Sequence, residues 1–316
     1  MAEKVEIISS GLLCADIVVK PVERLPEAGT AGVVETIELS CGGCGLNTAI
    51  VLKKLGVSAG IIGKIGRDTF GDHLAREIEA FGLDARGIKR DPDTRTTSAL
   101  VMVLPSGERS FLYAPGGSSE MISLDDFDFE LIGQAGILHV GGIMKLTSLD
   151  VAEVFKRAKD LGVVTSLDTD WDTSGKWLER IEGCLRHTDI FLPSREEAML
   201  ISRRQTPRQI GEFFLAYGIE TFVLKLGEGG CYVRTASDEL TLPAYAVDVL
   251  DTTGAGDAFD AGFLAGRLKG WDVEKCARFA NACGALCTTR IGTSAGIETM
   301  EAVLAFMEEA TLRTGV

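Results

Sequence analysis

The chain has 316 residues, of which 46% are hydrophobic, enough to bury the core of one large domain. Its 46 acidic residues outnumber 32 basic ones, and the resulting net charge of −14 argues against a surface for nucleic acid or for an anionic membrane. An anionic ligand is not excluded, because a few backbone N–H groups can hold one locally.

The cysteines and the hydropathy pattern bear on the cellular compartment. The eight cysteines lie mostly in apolar or helical stretches, as Cys283 and Cys287 do in NACGALC. We find neither a charged-then-apolar leader nor a run of about 18 apolar residues. We therefore expect a cytoplasmic protein whose cysteines are reduced thiols.

The N-terminal third mixes two kinds of predicted strand. The segment VEIIS predicts a buried strand, whereas residues 31–39 and 98–113 alternate apolar with polar residues. The second of these segments predicts a hairpin that turns at PSGE. Because these strands interrupt the β–α rhythm, we expect a small, half-exposed β-sheet lid formed by residues of about 14–40 and 95–115.

After residue 135 strands and helices alternate regularly. This rhythm predicts an α/β fold, with a doubly wound, mostly parallel sheet in a single domain over residues 1–316. The predicted strands are 136–140, 161–168, 189–193 and 221–227, and the predicted helices are 148–161, 176–186, 255–268, 273–288 and 298–311.

The stretch DTTGAGDAFDAGFLAGRL, from residue 251, predicts an anion site at the start of a helix. Gly254, Ala255 and Gly256 carry little side-chain bulk, so their N–H groups can approach a ligand at the positive end of the helix dipole. Asp257 follows them and could take a proton from a bound hydroxyl while the N–H groups hold a phosphoryl group. Asp257 could equally be a first-turn acid that stabilises the helix.

A second glycine-rich stretch, SCGGCGLNTAIVLKKLG, precedes another helix. Gly42 and Gly43 allow close approach of a ligand, and Asn47 both donates and accepts hydrogen bonds, which suits sugar hydroxyls. Alone, this stretch also fits an ordinary helix start with glycine in its entry turn.

Together the two stretches resemble the paired signatures of the ribokinase-like (PfkB-type) carbohydrate kinases. The first signature is a GG pair, then Asn, then a helix ending in Leu-Gly. The second is DTxGAGDxF, which DTTGAGDAF matches in full. The resemblance covers nearly the whole chain and implies a ribokinase-like fold and an ATP-dependent phosphotransferase.

The resemblance also assigns the acceptor half of the site. It implies that Asp257 is the catalytic base and that the N–H groups of Gly254, Ala255 and Gly256 form the anion hole. Asp16 occupies the place of the early aspartate that binds acceptor hydroxyls, beside Gly42, Gly43 and Asn47. Arg109, in GERSFLY, is expected to reach the ligand from the lid.

On the nucleotide side, VLKLGEGGCYV matches the strand that borders ATP in the family. The resemblance places Lys225, Gly227, Gly230 and Asn281 around the nucleotide. Near the Mg²⁺ and the phosphates the family has Asn-x-x-Glu, and here Glu197 matches the glutamate while Ser194 replaces the asparagine. Serine can still bond a water in the magnesium shell.

Many family members bind a monovalent cation beside the anion hole through backbone oxygens. Asp251, Thr253 and the turn TRIGT (289–293) occupy the corresponding places. The resemblance leaves the need for K⁺ open.

The expected reaction is phosphorylation of a hydroxyl on a small sugar or polyol. Asp172 stands where relatives that act on sugar acids have an arginine, which favours a neutral acceptor. A nucleoside kinase of the same fold is the alternative, and a catalytically silent sugar or nucleotide sensor is a less favoured one. Half-exposed lid strands further suggest a homodimer formed through the lid.

Overall fold

A computed structural model describes residues 4–105 and 109–313. Its strands are β1 (Ile7–Gly11), β2 (Cys14–Lys20), β3 (Thr36–Gly42), β4 (Ala59–Gly66), β5 (Asp84–Asp91), β6 (Ser98–Val103), β7 (Arg109–Tyr113), β8 (Ile137–Gly141), β9 (Val164–Leu167), β10 (Ile190–Phe191), β11 (Thr221–Lys225), β12 (Cys231–Arg234) and β13 (Glu239–Leu242). The helices are α1 (Cys44–Lys54), α2 (Thr69–Ala80), α3 (Phe129–Ile132), α4 (Val151–Asp160), α5 (Leu178–Leu185), α6 (Arg195–Ser202), α7 (Pro207–Leu215), α8 (Ala255–Leu268), α9 (Val273–Cys287) and α10 (Met300–Glu309).

The larger sheet has nine strands in the order β13-β12-β11-β10-β9-β8-β1-β4-β5. Strands β5 to β11 of this series run parallel, and β12 and β13 form an antiparallel edge. Adjacent residues of a strand point to opposite faces, so Ile7 packs into the core beneath α1, α8 and α9, whereas Ile8 packs into the core beneath α4 and α7. The expected α/β fold with a mostly parallel, doubly wound sheet is confirmed.

The smaller sheet has four strands in the order β3-β2-β6-β7, with β2 and β6 parallel and the outer pairs antiparallel. In the sequence, β2 and β3 lie between β1 and β4, and β6 and β7 follow β5. One row across the sheet consists of Ser40, Asp16, Ala99 and Tyr113, and the next row, on the opposite face, consists of Leu39, Ile17, Leu100 and Leu112. One face is therefore partly polar and the other is apolar.

Several predicted bounds differ from those observed. The strand expected at 31–39 begins only at Thr36, because β2 ends at Lys20 before Pro21 and the earlier residues have no partner strand. The hairpin of β6 and β7 is present, but residues 106–108 of its PSGE turn lie outside the described residues. Helix α8 has the bounds expected from the sequence, and the other four helices with predicted bounds are shorter by one to four residues. In the described ranges, no helix combines the length and the apolar character needed to span a bilayer.

The aromatic cluster of Phe191, Phe214 and Phe222 permits a test of the core between the sheet and α7. All three rings are fully buried, and Phe214 stacks on Phe222 with ring centroids 5.2 Å apart. We expect Phe214→Ala to lower the free energy of unfolding by about 3–5 kcal/mol, because it leaves a cavity. Urea denaturation measures this loss. The neighbouring Phe213→Ala, at a partly buried ring, is the matched control and should cost clearly less; equal losses would contradict the packing described.

Candidate active site

The N-terminus of α8 forms a compact turn without side-chain bulk. Gly254 caps the helix with φ +74°, and a Cβ at this position would lie 2.3 Å from the carbonyl oxygen of Thr293. Only glycine fits both the backbone conformation and the space. The first turn of α8 leaves backbone N–H groups without intrahelical partners at the positive end of the dipole. The turn is therefore suited to hold an anion.

Asp257 lies in this first turn and is buried, at 8% exposure. Its Oδ2 accepts a hydrogen bond of 2.8 Å from Asn47 Nδ2, although the two residues are 210 positions apart in the chain. Burial raises the pKa of Asp257, and the hydrogen bond from Asn47 opposes that shift. The structure thus joins the two glycine-rich stretches at one carboxylate.

Asp16 extends from the lid strand β2 toward Gly42. A Cβ on Gly42 would lie 2.1 Å from Asp16 Oδ2, so the absence of a side chain at Gly42 is what admits the carboxylate. Burial raises the pKa of Asp16 to about 6, while a hydrogen bond from Cys14 and the charge of Arg109 lower it. Gly43 follows as the N-cap of α1, the helix that carries Asn47. These predicted acceptor residues therefore share one region between the lid and α1.

Arg109, at the start of β7, lies near Asp16 but pairs with another acid. Its Nη2 donates to Asp251 Oδ1, and both side chains are largely buried. Arg109 Nε is buried and has no hydrogen-bond partner among the described residues. The sequence resemblance suggested ligand contact for Arg109 and gave no sign of the ion pair.

Sequence reasoning missed a buried group of charges around Lys225. Lys225 Nζ lies 2.9 Å from Asp168 at the end of β9 and 3.1 Å from both carboxylate oxygens of Asp260 on α8. Burial alone would lower the pKa of Lys225, but the two carboxylates raise it, and burial raises the pKa of Asp168 and Asp260. An aspartate inside the apolar helix sequence AFDAGF was the available signal, because a buried carboxylate requires a partner.

The predicted nucleotide residues line one cavity of about 410 Å³. Lys225, Gly227, Gly230 and Asn281 border it, as does Gly256 of the anion-hole turn. The remaining wall is mainly apolar, as a cofactor site commonly is. The sequence did not single out its other members, which include Tyr245, Val247, Val249, Phe259, Thr288 and Arg313. The cavity therefore opens directly onto the N-terminus of α8.

Ser194 and Glu197 begin α6 as a capping box. The Ser194 hydroxyl accepts from the Glu197 backbone N–H at 3.4 Å, and Glu197 Oε2 accepts from the Ser194 N–H at 3.2 Å and from Thr169 Oγ1 at 2.9 Å. Burial raises the pKa of Glu197, and the nearby Asp168 raises it further. Ser194 thus has a structural role as well as its expected place near the phosphates.

The acids of this region fit a divalent cation. Asp168, Asp257, Asp260 and Glu197 lie close together, and Lys225 contacts Asp168 and Asp260, so the carboxyl groups outnumber this cation. Ligand atoms of Asp168, Asp257 and Cys44 lie within 4.8 Å of one another. Carboxylate oxygens are the ligands that Mg²⁺ prefers, and it commonly keeps several waters. The donor set is therefore suitable for Mg²⁺ beside the phosphates.

Several oxygens at the place expected for a monovalent cation are already engaged. Asp251 accepts from Arg109, from the backbone N–H and hydroxyl of Thr253 and from the backbone N–H of Gly292. The Cys287 thiol lies 3.4 Å from the Thr253 carbonyl oxygen and 3.3 Å from that of Thr293. These groups do not fit K⁺ without rearrangement.

Comparison with known proteins agrees with the geometry. The profile of the pfkB family carbohydrate kinases matches residues 5–300. An uncharacterised sugar kinase of Archaeoglobus fulgidus is 34% identical over 78% of this chain and 97% of its own length. An ATP-dependent ribose-1-phosphate kinase of Halopiger xanaduensis is 32% identical over 96% of this chain and 99% of its own length.

Among solved structures, a ribokinase-type protein of E. coli in complex with ATP and Mg²⁺ is similar over 96% of this chain and 99% of that one, with 27% identity and a TM-score of 0.86. The matched profile, the relatives and the fold all extend over most of the chain. The protein therefore belongs to the pfkB family of carbohydrate kinases and is an ATP-dependent carbohydrate kinase.

Proposed function

We propose that the protein phosphorylates a hydroxyl, preferentially a primary one, of a small sugar or polyol, with Asp257 as the general base. The observation that carries this proposal is the position of Asp257. Its carboxylate is buried, accepts from Asn47 on the acceptor side, and lies in the helix turn that borders the nucleotide cavity. A base between the acceptor region and the nucleotide cavity can take a proton from the acceptor hydroxyl beside the phosphates of ATP.

The acceptor would bind between the lid and α1. Asp16 and Asn47 would hold its hydroxyls, while Gly42 and Gly43 leave room for the sugar to approach the backbone. Arg109 Nε, which is buried without a partner in the described part of the chain, is available to a further hydroxyl. Closure of the lid would exclude water and so limit hydrolysis of ATP.

In the chemical step, Asp257 would accept the proton of the hydroxyl as its oxygen attacks the γ-phosphorus of ATP in line. The oxygen–phosphorus bond to ADP breaks as the new bond forms. N–H groups of the turn Gly254–Gly256 would stabilise the charge on the transferring phosphoryl oxygens. The raised pKa of Asp257 favours this role, because a base is most effective when its pKa approaches the operating pH.

ATP would lie in the cavity bordered by Gly227, Gly230 and Asn281, with its phosphates toward Gly256. Lys225, fixed by Asp168 and Asp260, would present its ammonium group to the phosphates. Glu197, with Asp168, would hold Mg²⁺ and its waters, and Ser194 would position one of those waters. When bound, Mg²⁺ would offset the negative charge of the phosphates.

The choice of acceptor rests on the loop after β9. Asp172 accepts from Ser174 and from the Trp177 backbone N–H, and so it braces its own loop and supplies no positive charge for a carboxylate. We therefore propose a neutral sugar or polyol.

A panel of neutral sugars, sugar acids, sugar phosphates and nucleosides, assayed for ADP release, would identify the acceptor. Phosphorylation of inosine or adenosine at the 5′ hydroxyl would favour the nucleoside kinase instead.

We also propose a homodimer formed through the lid. The apolar row of Leu39, Ile17, Leu100 and Leu112 crosses all four strands on the face opposite Asp16. Leu39 and Leu112 are 39% and 57% exposed, and Ile37 beside them is 69% exposed. A second copy of the same face would cover this row.

We also propose a cytoplasmic location, since all eight cysteines are free thiols.

Asp257→Asn tests the assignment of the base. The amide keeps the size of the side chain but cannot accept the proton, so we expect kcat to fall by roughly 10²–10⁴-fold. ATP and acceptor affinities, measured by calorimetry, should stay within a few-fold of those of the native protein. Asp150→Asn, at the N-cap of α4, is the matched control. Normal turnover of Asp257→Asn would refute the assignment.

The pH dependence of acceptor binding tests Asp16. Since its pKa is raised to about 6, Asp16 is ionised above this pH and protonated below it. Acceptor binding should therefore weaken as the pH falls through 6, with KM about tenfold higher at pH 5 than at pH 8. Asp16→Asn should raise KM above pH 6, where the native side chain is ionised, and flatten its profile. A native profile of acceptor KM without an inflection in this range would exclude Asp16 as an ionised acceptor ligand.

Leu39→Asp tests the dimer. A charge in the apolar row should shift the protein from dimer to monomer in sedimentation experiments, because burying it would be costly. Val33→Asp is the control, at a residue that is 98% exposed and lies outside the strands. If the native protein sediments as a monomer, or if both variants dissociate alike, the lid row is not the interface.

A further inference from the structure

Several oxygens around the segment before the anion-hole turn accept hydrogen bonds from groups of the chain itself. Four groups of three residues donate to the Asp251 carboxylate, and the Cys287 thiol contacts the carbonyl oxygens of both Thr253 and Thr293. The Ser294 carbonyl oxygen accepts from Lys54 Nζ at 2.6 Å. The Thr288 carbonyl oxygen accepts from the backbone N–H groups of residues 250 and 251. Groups of the chain thus occupy several oxygens at the place where the family resemblance predicted a monovalent cation.

Two of these donors are cations, and they come from different parts of the fold. Lys54 ends α1, which belongs to the main domain, whereas Arg109 begins β7 at the edge of the lid sheet. Among the described residues, Arg109 supplies the one cationic group that contacts the Asp251 carboxylate, which is 4% exposed. A buried carboxylate requires a compensating positive charge, and here a lid residue supplies it.

Asp251 in turn fixes the geometry of the anion-hole segment. Its Oδ1 accepts from the Thr253 backbone N–H at 2.7 Å and from the Thr253 hydroxyl at 2.8 Å, immediately before Gly254. Its Oδ2 accepts from the Gly292 backbone N–H at 2.9 Å, in the turn on which Gly254 packs. The orientation of Asp251 therefore determines how Gly254 and α8 begin.

We infer that the Arg109–Asp251 ion pair replaces the monovalent cation and is a positioning contact for the anion hole. The positive charge reaches Asp251 only when the lid lies over the acceptor. With the lid open, Asp251 would keep its backbone donors but lose its counter-charge, and the turn would be held less firmly. Ordering of the anion hole is thereby coupled to capture of the acceptor, and no external cation is needed. This inference rests on the proposed function only where it is tested by enzyme kinetics.

The test compares Arg109→Met with the native protein at constant ionic strength in chlorides of potassium, ammonium or tetramethylammonium. The native kcat should vary by less than about twofold among these salts. Arg109→Met should lose at least about tenfold in tetramethylammonium, and potassium or ammonium should restore part of that loss by compensating Asp251. Arg109→Lys should keep more activity than Arg109→Met and need no added cation. Arg95→Met, at an exposed arginine that contacts the Pro115 carbonyl oxygen, is the control and should behave as the native protein.

A second measurement does not depend on turnover. Potassium should raise the melting temperature of Arg109→Met relative to tetramethylammonium, and should leave those of the native protein and of Arg95→Met unchanged. Strong activation of the native protein by potassium, or an Arg109→Met loss that no small cation restores, would overturn the inference. If no acceptor is phosphorylated under any condition, the proposed function fails, while the melting temperatures still decide the inference: a potassium response equal in all three proteins would refute it.

Discussion

The buried contact of Lys225 with Asp168 and Asp260 is the interaction on which the arrangement of the site depends. It joins the ends of strands β9 and β11 to helix α8, so the sheet edge and the anion-hole helix keep one relative position. Removing one partner from such a buried group leaves an uncompensated charge and typically costs about 3–5 kcal/mol. The cost of burying these ions is offset only while all three remain together. Where α8 begins, and hence where Asp257 lies, follows from this contact.

A second constraint acts from the other side of α8. The Asn47–Asp257 hydrogen bond ties α8 to α1, and α1 begins at the glycine pair that admits Asp16. Helix α8 is thus held through Lys225 on the side of the proposed nucleotide site and through Asn47 on the side of the proposed acceptor site. Under the proposed function, two substrates meet at this carboxylate and require this rigidity, because a displacement of about 1 Å can cost on the order of 10²-fold in rate.

The sequence predicted those elements whose bounds depend on residues close together in the chain. Helix α8 was placed with its observed bounds, because the glycines before it and the apolar spacing within it mark both ends. The lid hairpin followed from alternation and a turn sequence. Strand β3 was placed too early, since its start depends on where β2 ends rather than on its own residues. Lys225 was assigned to the nucleotide site, but its contacts with Asp168 and Asp260 span 57 and 35 positions and leave no periodic signal. The Arg109–Asp251 ion pair was not predicted either, because its two residues are 142 positions apart.

The order of elements along the chain separates the proposed acceptor residues from the residues that line the proposed nucleotide cavity. The lid strands, the glycine pair and Asn47 all precede residue 114, whereas the nucleotide cavity is lined from Lys225 onward. Under the proposed function, mutations in the first third can therefore change which alcohol binds without altering the residues that bind ATP, and a lengthened lid loop would leave the central sheet undisturbed. Such modularity offers a physical route by which one scaffold diversifies its acceptors while its phosphate donor stays the same.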